Sequence, residues 1–197
     1  MKTAMALVVI MTSIVAAGLV QAAVENPNPG SGTTLAGVEL PGTIEVEAQK
    51  LVLNGAALRK IAFIKIYVAG LYLESKENRP DAILDHDRPR TLMMHFLRDV
   101  EARRLCEGWD SSLALNTPDP SEELQAQFRT LCSWMEDAAE GERLRFVYTP
   151  AHGTTIEYRD SMKGPIEGKE FADALFRTWL GPRSIAGEEF KKQLLGE

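Results

Sequence analysis

Residues 51–75, LVLNGAALRKIAFIKIYVAGLYLES, decide the fold of this chain. The segment begins with a short apolar run, passes through Asn54-Gly55-Ala56-Ala57, and continues into a long run of β-branched and aromatic residues. Such runs favour β-strands, and a cluster of small residues with Asn and Gly favours a loop between them. We therefore predict strands over residues 43–53 and 59–73, joined by a loop at residues 54–57.

Arg59 lies where the predicted loop meets the second strand. A guanidinium keeps its charge and presents a planar fork of donors, so at an apolar sheet it needs a carboxylate, an enolate or water as its partner. The sequence therefore identifies Arg59 as either an anion-binding residue or a solvated residue at the sheet edge.

The first 22 residues have the pattern of a secretory signal peptide. Lys2 precedes an apolar run over residues 6–20, and residues 20–22, Val-Gln-Ala, place compact side chains where a signal peptidase acts. A membrane anchor is the alternative, but the run is short for a bilayer span and contains Thr12 and Ser13. We expect a secreted, periplasmic protein whose mature chain has no transmembrane segment.

The charge balance argues against a nucleic-acid partner. The chain carries 22 Lys and Arg against 28 Asp and Glu, a net charge of −6, and loss of residues 1–22 removes Lys2 and no acid, which gives −7. Nucleic-acid binding requires clustered Lys and Arg. Residues 23–42 are rich in Asn, Pro, Gly, Ser and Thr, so we expect a flexible lead-in there and one domain over residues 43–197.

The rest of the chain combines further strands with helices. Period-two alternation predicts a strand over residues 91–97 and a β-hairpin over residues 143–161 that turns at Ala151-His152-Gly153. Three- and four-residue spacing of apolar side chains predicts the helices. Three of these helices cover residues 99–116, 167–180 and 184–195. The fourth is capped by Asp119 and buries Leu124, Phe128, Leu131 and Met135. The order predicts an α+β fold, a largely antiparallel sheet with helices on one face.

Cys106 and Cys132 lie at similar distances from the turn between the first two predicted helices. Cys106 is ten residues before Asn116, and Cys132 is thirteen after Asp119. An antiparallel helix pair therefore brings the two sulfur atoms to nearly the same level, and an exported protein folds under oxidising conditions. We expect a Cys106–Cys132 disulfide, and two buried free thiols are the alternative.

Other chemistries lack a matching motif. His86, His95 and His152 are far apart, with no second ligand at metal spacing. The chain has no Gly-x-Ser-x-Gly nucleophile elbow and no phosphate- or dinucleotide-binding glycine pattern. We therefore expect neither a metal nor a cofactor.

Four segments, in this order, resemble the chalcone isomerase-like family. They are NGAALR at residues 54–59 with KIYVAGLYL at 65–73, FLRDV at 96–100, KGPIEG at 163–168, and the helix at 171–181. The resemblance covers nearly all of the chain from residue 43 onward. It implies an open-faced β-sandwich, in which a large sheet is covered by a layer of helices and a ligand cleft lies between them.

The resemblance carries over only part of the catalytic site of plant chalcone isomerases. Those enzymes use an Arg, a Thr and a Tyr around a water, together with an Asn and a Ser or Thr on the helices. The Arg matches Arg59 and the Asn matches Asn116. The Thr, the Tyr and the helical hydroxyl fall on Tyr67, Trp109 and Ala172. Because one oxyanion donor is worth about 3 kcal/mol of barrier, we expect no efficient chalcone isomerisation.

Other members of this family bind fatty acids, with an Arg and a Tyr holding the carboxylate at the cleft mouth. Arg59 and Tyr67 match this pair, but eight residues of unbroken strand span about 26 Å, so Arg59 must fold back from a loop. The resemblance thus favours a non-catalytic protein that binds an amphipathic ligand such as a fatty acid through Arg59, Tyr67, Trp109 and Asn116. Two alternatives remain: an isomerase or related intramolecular lyase acting through Arg59, and a structural or protein-interaction domain with a filled cleft.

Overall fold

The computed structural model describes residues 31–159 and 161–197, so the predicted signal peptide lies outside the described residues. Within those ranges the chain forms nine strands and five helices. They are β1 (Thr33–Leu35), β2 (Val38–Leu40), β3 (Thr43–Val46), β4 (Gln49–Ile61), β5 (Ile64–Leu73), α1 (Pro80–Asp85), β6 (Arg90–Phe96), α2 (Ala102–Asn116), α3 (Glu122–Ser133), β7 (Arg143–Thr149), β8 (Gly153–Tyr158), β9 (Ser161–Ile166), α4 (Lys169–Leu180) and α5 (Glu188–Leu194). In the described part of the chain, no helix has the length and apolar character that a bilayer crossing requires.

One curled sheet organises the molecule. Strands β3 to β9 follow one another in sequence order, and each pairs antiparallel with the next. The main core lies between one face of this sheet and the helices, and it includes Phe96, Phe146, Leu175 and Trp179. The predicted α+β class, with helices on one face of an antiparallel sheet, is confirmed.

The opposite face of the sheet has its own smaller core. The β1–β2 hairpin contributes Val38 and Leu40, which pack with apolar residues of the central strands such as Val68 and Tyr72. The prediction of a flexible lead-in through residue 42 is therefore wrong for residues 33–40. The alternating valine and leucine of β2 bury enough apolar surface to order a segment whose composition otherwise favours disorder.

Strand β4 runs through the segment predicted to be a loop. The predicted first strand is divided by a turn at Glu47 (φ 54°), and the predicted long strand begins only at Ile64, after a second turn at Ala62 (φ 53°). Asn54-Gly55 forms a bulge within β4, where the register to β5 shifts between Leu53 and Gly55. Gly55 is needed there because α5 passes so close that an added Cβ would lie 2.5 Å from the Leu194 carbonyl oxygen.

The predicted helices are present, with shifted N-termini. Helix α3 is capped by Ser121, whose hydroxyl accepts a hydrogen bond from the Leu124 N–H (3.1 Å), rather than by the predicted Asp119. Asp119 instead adopts φ 48° in the preceding turn. Leu124, Phe128, Leu131 and Met135 are all buried, as predicted. The short helix α1 and the edge strand β9 were not predicted.

A disulfide joins Cys106 of α2 to Cys132 of α3, as predicted from their distances to the turn. Their Cα atoms lie 5.6 Å apart, within the usual range for a bridge. Both cysteines are partly buried against the main core. The bond therefore holds together two helices that each cover the same face of the sheet.

Candidate functional site

A cleft of about 190 Å³ lies between the sheet and the helical layer. Strands β4, β5 and β6 form one wall, and α2 forms the other with the end of α4 and the segment that follows it. Most of its lining is apolar, including Met94, Leu105 and Trp109. Cavities of this kind, apolar with a few convergent polar groups, are the usual places for small-molecule binding.

Arg59 and Tyr67 are direct neighbours in this cleft. They form a cross-strand pair in the antiparallel β4–β5 hairpin, and both line the cavity. Directly opposed residues of antiparallel strands project from the same face at about 5 Å between Cβ atoms. The expectation that Arg59 must fold back from a loop is therefore wrong: the turn at Ala62, which the sequence did not reveal, brings the two residues together.

The bulge at Gly55 determines that Arg59 faces the helices. Leu51 and Leu53, before the bulge, belong to the smaller core on the outer face, whereas Ala57, after it, belongs to the core beneath the helices. Residues at odd positions of an unbroken strand would all share one face, so the extra residue inverts the alternation. Arg59 follows Ala57 by two residues and so enters the cleft.

The Arg59 guanidinium makes one hydrogen bond to the wall of the cleft. One terminal nitrogen, Nη1, donates to the carbonyl oxygen of Ala186 at 2.9 Å. This bond holds the side chain against the segment between α4 and α5. A guanidinium has several further N–H donors in the same plane, which can take a carboxylate in a bidentate pair.

The Tyr67 hydroxyl is oriented by a tryptophan. The indole N–H of Trp179 donates to the Tyr67 hydroxyl oxygen at 3.1 Å. Because the oxygen accepts this bond, the hydroxyl proton is directed elsewhere and can be donated to a ligand oxygen. Burial raises the pKa of Tyr67 to about 12, and the Trp179 hydrogen bond and the nearby Arg59 charge only partly oppose that rise. Tyr67 is therefore a protonated donor at neutral pH.

Thr178 of α4 is a buried polar residue in the wall of the same cavity. Thr178 is 2% exposed and lines the cleft. Its Oγ1 has no hydrogen-bond partner among the described residues. An unpaired buried hydroxyl costs about 1–3 kcal/mol unless a ligand or water satisfies it. Local sequence does not indicate this position beside the cleft, because a threonine between Arg177 and Trp179 on an amphipathic helix carries no distinctive pattern.

Trp109 forms the apolar back of the cleft. It is 2% exposed and packs edge-to-face against Phe146, with ring centroids 5.7 Å apart. Phe146 in turn lies 5.8 Å from Trp179, so one set of aromatic rings connects α2, the sheet and α4. Trp109 thus supplies contact surface to the cavity.

Asn116 does not lie with the other predicted site residues. At the C-terminal end of α2, its amide nitrogen donates to the carbonyl oxygens of Ser112 and Arg183, both at 3.1 Å, and its oxygen accepts from the Arg183 N–H at 2.9 Å. These bonds fasten the segment after α4 to α2. That segment contains Ile185 and Ala186, which line the cleft, so Asn116 supports the cleft wall from outside.

A second cation, Arg104, lies at the edge of the cleft. Its side chain is 64% exposed and pairs with Glu107 at 3.2 Å. An Arg–Glu pair three residues apart on a helix is typical of a solvated surface, so the sequence does not distinguish it from Arg103. Only the packing of α2 over the sheet places Arg104 beside the cavity.

A smaller cavity of about 60 Å³ lies elsewhere, beside the buried Arg90. Arg90 is 1% exposed, and its guanidinium pairs with Asp173 and donates to the Ile83 carbonyl oxygen at 3.1 Å. The rings of Tyr148 and Phe176 cover it at 4.6 and 5.0 Å. These contacts of Arg90 attach α1 and α4 to the sheet. In the part of the chain that the structure describes, no group of three or more His, Cys, Asp or Glu is arranged to hold a metal.

Comparison with known proteins identifies the family. The chalcone isomerase-like family profile matches residues 32–196, so the chain belongs to the chalcone isomerase-like family. A solved structure of similar fold is that of a fatty-acid binding protein from Arabidopsis thaliana. Its TM-score is 0.67 at 13% sequence identity, with 83% of this chain and 95% of that chain covered. No curated protein matches this chain.

Proposed function

We propose that this chain is a non-catalytic binding protein for an amphipathic carboxylic acid such as a fatty acid. The observation that carries the proposal is the pairing of Arg59 and Tyr67 on the cleft-facing side of the β4–β5 hairpin. A similar fold in a plant fatty-acid binding protein supports the same class of ligand. The signal-like pattern of residues 1–22 supports a secreted, periplasmic location for this function.

The polar groups of the cleft suit a carboxylate. Arg59 supplies a positive charge and planar donors, and Tyr67 supplies a hydroxyl that stays protonated at neutral pH. Thr178 lines the same cavity, and its buried hydroxyl has no partner among the described residues. The guanidinium and the Tyr67 hydroxyl match the two oxygens of a carboxylate and leave the rest of the apolar cavity for hydrocarbon.

The size of the cleft limits the acyl chain. Its volume of about 190 Å³ is below the 300–1,000 Å³ that is usual for drug-sized ligands. We therefore expect the tightest binding for acids of short or medium chain length, and weaker binding for long chains that the cavity cannot hold. Affinities measured for a series of saturated acids of increasing length test this limit.

Substitution of Arg59 tests the anchor. Loss of a charge-assisted pair worth about 1.5–3 kcal/mol should weaken binding of a medium-chain fatty acid roughly tenfold to a hundredfold in Arg59→Ala. Arg59→Lys should recover only part of this, because an ammonium lacks the bidentate geometry. Displacement of a fluorescent fatty acid provides the affinities, and a change in tryptophan emission, to which Trp109 and Trp179 of the cleft contribute beside Trp134, is a second readout.

Arg129→Ala is the matched control. Arg129 is exposed on α3, and its removal changes the net charge by the same amount without touching the cleft. Thermal unfolding of each variant shows whether loss of the Arg59–Ala186 hydrogen bond affects stability. Equal affinities in the wild type, Arg59→Ala and Arg129→Ala, in folded proteins, would rule out the proposed anchor.

A further inference from the structure

The β4–β5 hairpin projects beyond the sheet and ends in exposed apolar side chains. Pairing between β5 and β6 ends at Tyr67 with Phe96, so residues 60–65 are joined only to one another across the turn. We call these six residues, Lys-Ile-Ala-Phe-Ile-Lys, the hairpin tip. Phe63 is 90% exposed, Ile61 58% and Ile64 38%. Side chains of this size are seldom so exposed without a partner.

Basic residues border the apolar tip. Lys60 and Lys65 are exposed and directly opposed across the two strands. Like charges at opposed positions repel each other, and an anionic surface relieves that repulsion. Residues 49–73 contain four basic residues and no acidic one, whereas the whole chain has a net charge of −6. The hairpin is thus a local positive region in an acidic protein.

We propose that the hairpin tip docks this protein on anionic phospholipid membranes. Phe63 and the two isoleucines enter the interfacial region, while Lys60 and Lys65 bury their aliphatic stems and keep their ammonium groups at the lipid phosphates. Aromatic and aliphatic side chains flanked by lysines are the composition that this interface favours. This surface role goes beyond ligand binding in the cleft.

The shape of the tip favours a membrane over a protein partner. A specific protein interface buries about 800 Å² on each side, which a single projecting turn does not offer. A bilayer accepts a convex apolar turn without a complementary groove. The tip is also continuous with the cleft, because Ile61 and Arg59 of the same hairpin line its wall. Docking would therefore place the cleft next to the lipid phase.

Vesicle binding of tip variants tests the proposal. The full sequence is expressed with export, its N-terminus is defined by mass spectrometry, and binding is measured by flotation with phosphatidylcholine–phosphatidylglycerol vesicles. Removing a phenyl group from the interface in Phe63→Ser should reduce partitioning at least about tenfold. Lys60→Gln with Lys65→Gln should reduce it about 25-fold, since each lysine is worth roughly fivefold. Added salt should weaken wild-type binding.

Met162→Ser is the matched control, because Met162 is 69% exposed on strand β9, away from the hairpin tip. Its partitioning should equal that of the wild type. A Phe63→Trp variant gives a local readout: vesicles should shift the emission of the introduced indole to the blue, and brominated lipids should quench it. This signal reports on the tip even if the N-terminal apolar run itself holds the protein on the vesicle.

Each remaining outcome overturns the proposal. An introduced indole at position 63 that stays solvent-exposed on vesicles, or equal partitioning of Phe63→Ser and the wild type, excludes membrane docking by the tip. Conversion of an oligomer to a monomer by Phe63→Ser, with no vesicle binding, would identify the tip as a contact between protein chains. Fatty-acid displacement measured without vesicles tests the cleft separately, so the two proposals can fail independently.

Discussion

At the scale of single residues, Tyr67 shows how a cleft hydroxyl is oriented before any ligand binds. The Tyr67 hydroxyl oxygen accepts a hydrogen bond from the Trp179 indole nitrogen at 3.1 Å. This bond restricts the directions in which the hydroxyl can donate its own proton. A ligand oxygen can therefore accept the Tyr67 hydroxyl proton in a hydrogen bond without breaking the existing bond to Trp179.

Chalcone turnover is the reaction that these residues should not support. Trp109, matched by resemblance to the proton-handling Tyr of plant enzymes, can donate a hydrogen bond but cannot accept a proton, and Ala172 offers no hydroxyl. Tyr67, with its pKa raised to about 12, is a poor base near neutral pH. We expect incubation with a hydroxychalcone to show little or no acceleration over buffer. Turnover on the order of 10 per second would contradict this expectation.

The residues of the cleft differ in how far the sequence could predict them. Arg59 and Tyr67 were found through the family resemblance, and Trp109 through its matched position. Asn116 was assigned to the site although it fastens the cleft wall from outside. Thr178 was missed because its significance is an absent hydrogen bond, which depends on packing and leaves no trace in local sequence.

At the scale of elements, the turn at Ala62 was the decisive omission. Ala62-Phe63 contains none of the Gly, Asn, Asp or Pro residues that usually mark a hairpin turn. By contrast Asn54-Gly55, the strongest turn signal in the segment, lies in a bulge inside β4. The strand-forming residues were therefore predicted correctly, but the break between the two strands was placed at residues 54–57 instead of at Ala62. Gly55 is present because helix α5 passes close to it and not because the chain turns there.

The helix pair α2–α3 should depend on its disulfide. Closing a loop with a sequence separation of 26 restricts the unfolded chain by an amount worth about 3 kcal/mol. We expect Cys106→Ser with Cys132→Ser to lower the free energy of unfolding in urea by roughly that amount. Reductant should destabilise the wild type and leave the double variant unchanged. An unreduced mass equal to that of the dithiol form would show that the bond does not form.

At the scale of the whole molecule, all four tyrosines of the chain are held in their protonated form. Burial raises the pKa of Tyr67, Tyr72 and Tyr158 to about 12, and raises that of Tyr148 further with the help of a hydrogen bond to Asp87. A pKa that is higher in the folded than in the unfolded state stabilises the fold below the unfolded value. That stabilisation is lost as the pH rises above it.

Alkaline unfolding should therefore begin above the ordinary tyrosine pKa of about 10. We expect the free energy of unfolding to fall between about pH 10 and 12, because the unfolded chain releases tyrosine protons that the folded chain retains. Tyrosinate absorbance of the native protein should stay low just above pH 10 and rise only as the pH approaches 12. Tyr72→Phe should reduce the slope, while a folded protein whose tyrosines all titrate near pH 10 would contradict the buried arrangement.

The contact between β4 and α5 also has a kinetic consequence. The Asn54 side-chain amide donates to the Leu194 carbonyl oxygen at 2.9 Å, across 140 residues of chain. Contacts of such separation form late, because the entropy of the intervening chain must be lost before they add stability. The β4–β5 and β7–β8 hairpins can form first. Refolding should therefore pass through a stage in which the sheet exists but Ile185 and Ala186 have not yet closed the cleft, and ligand binding should appear after the sheet does.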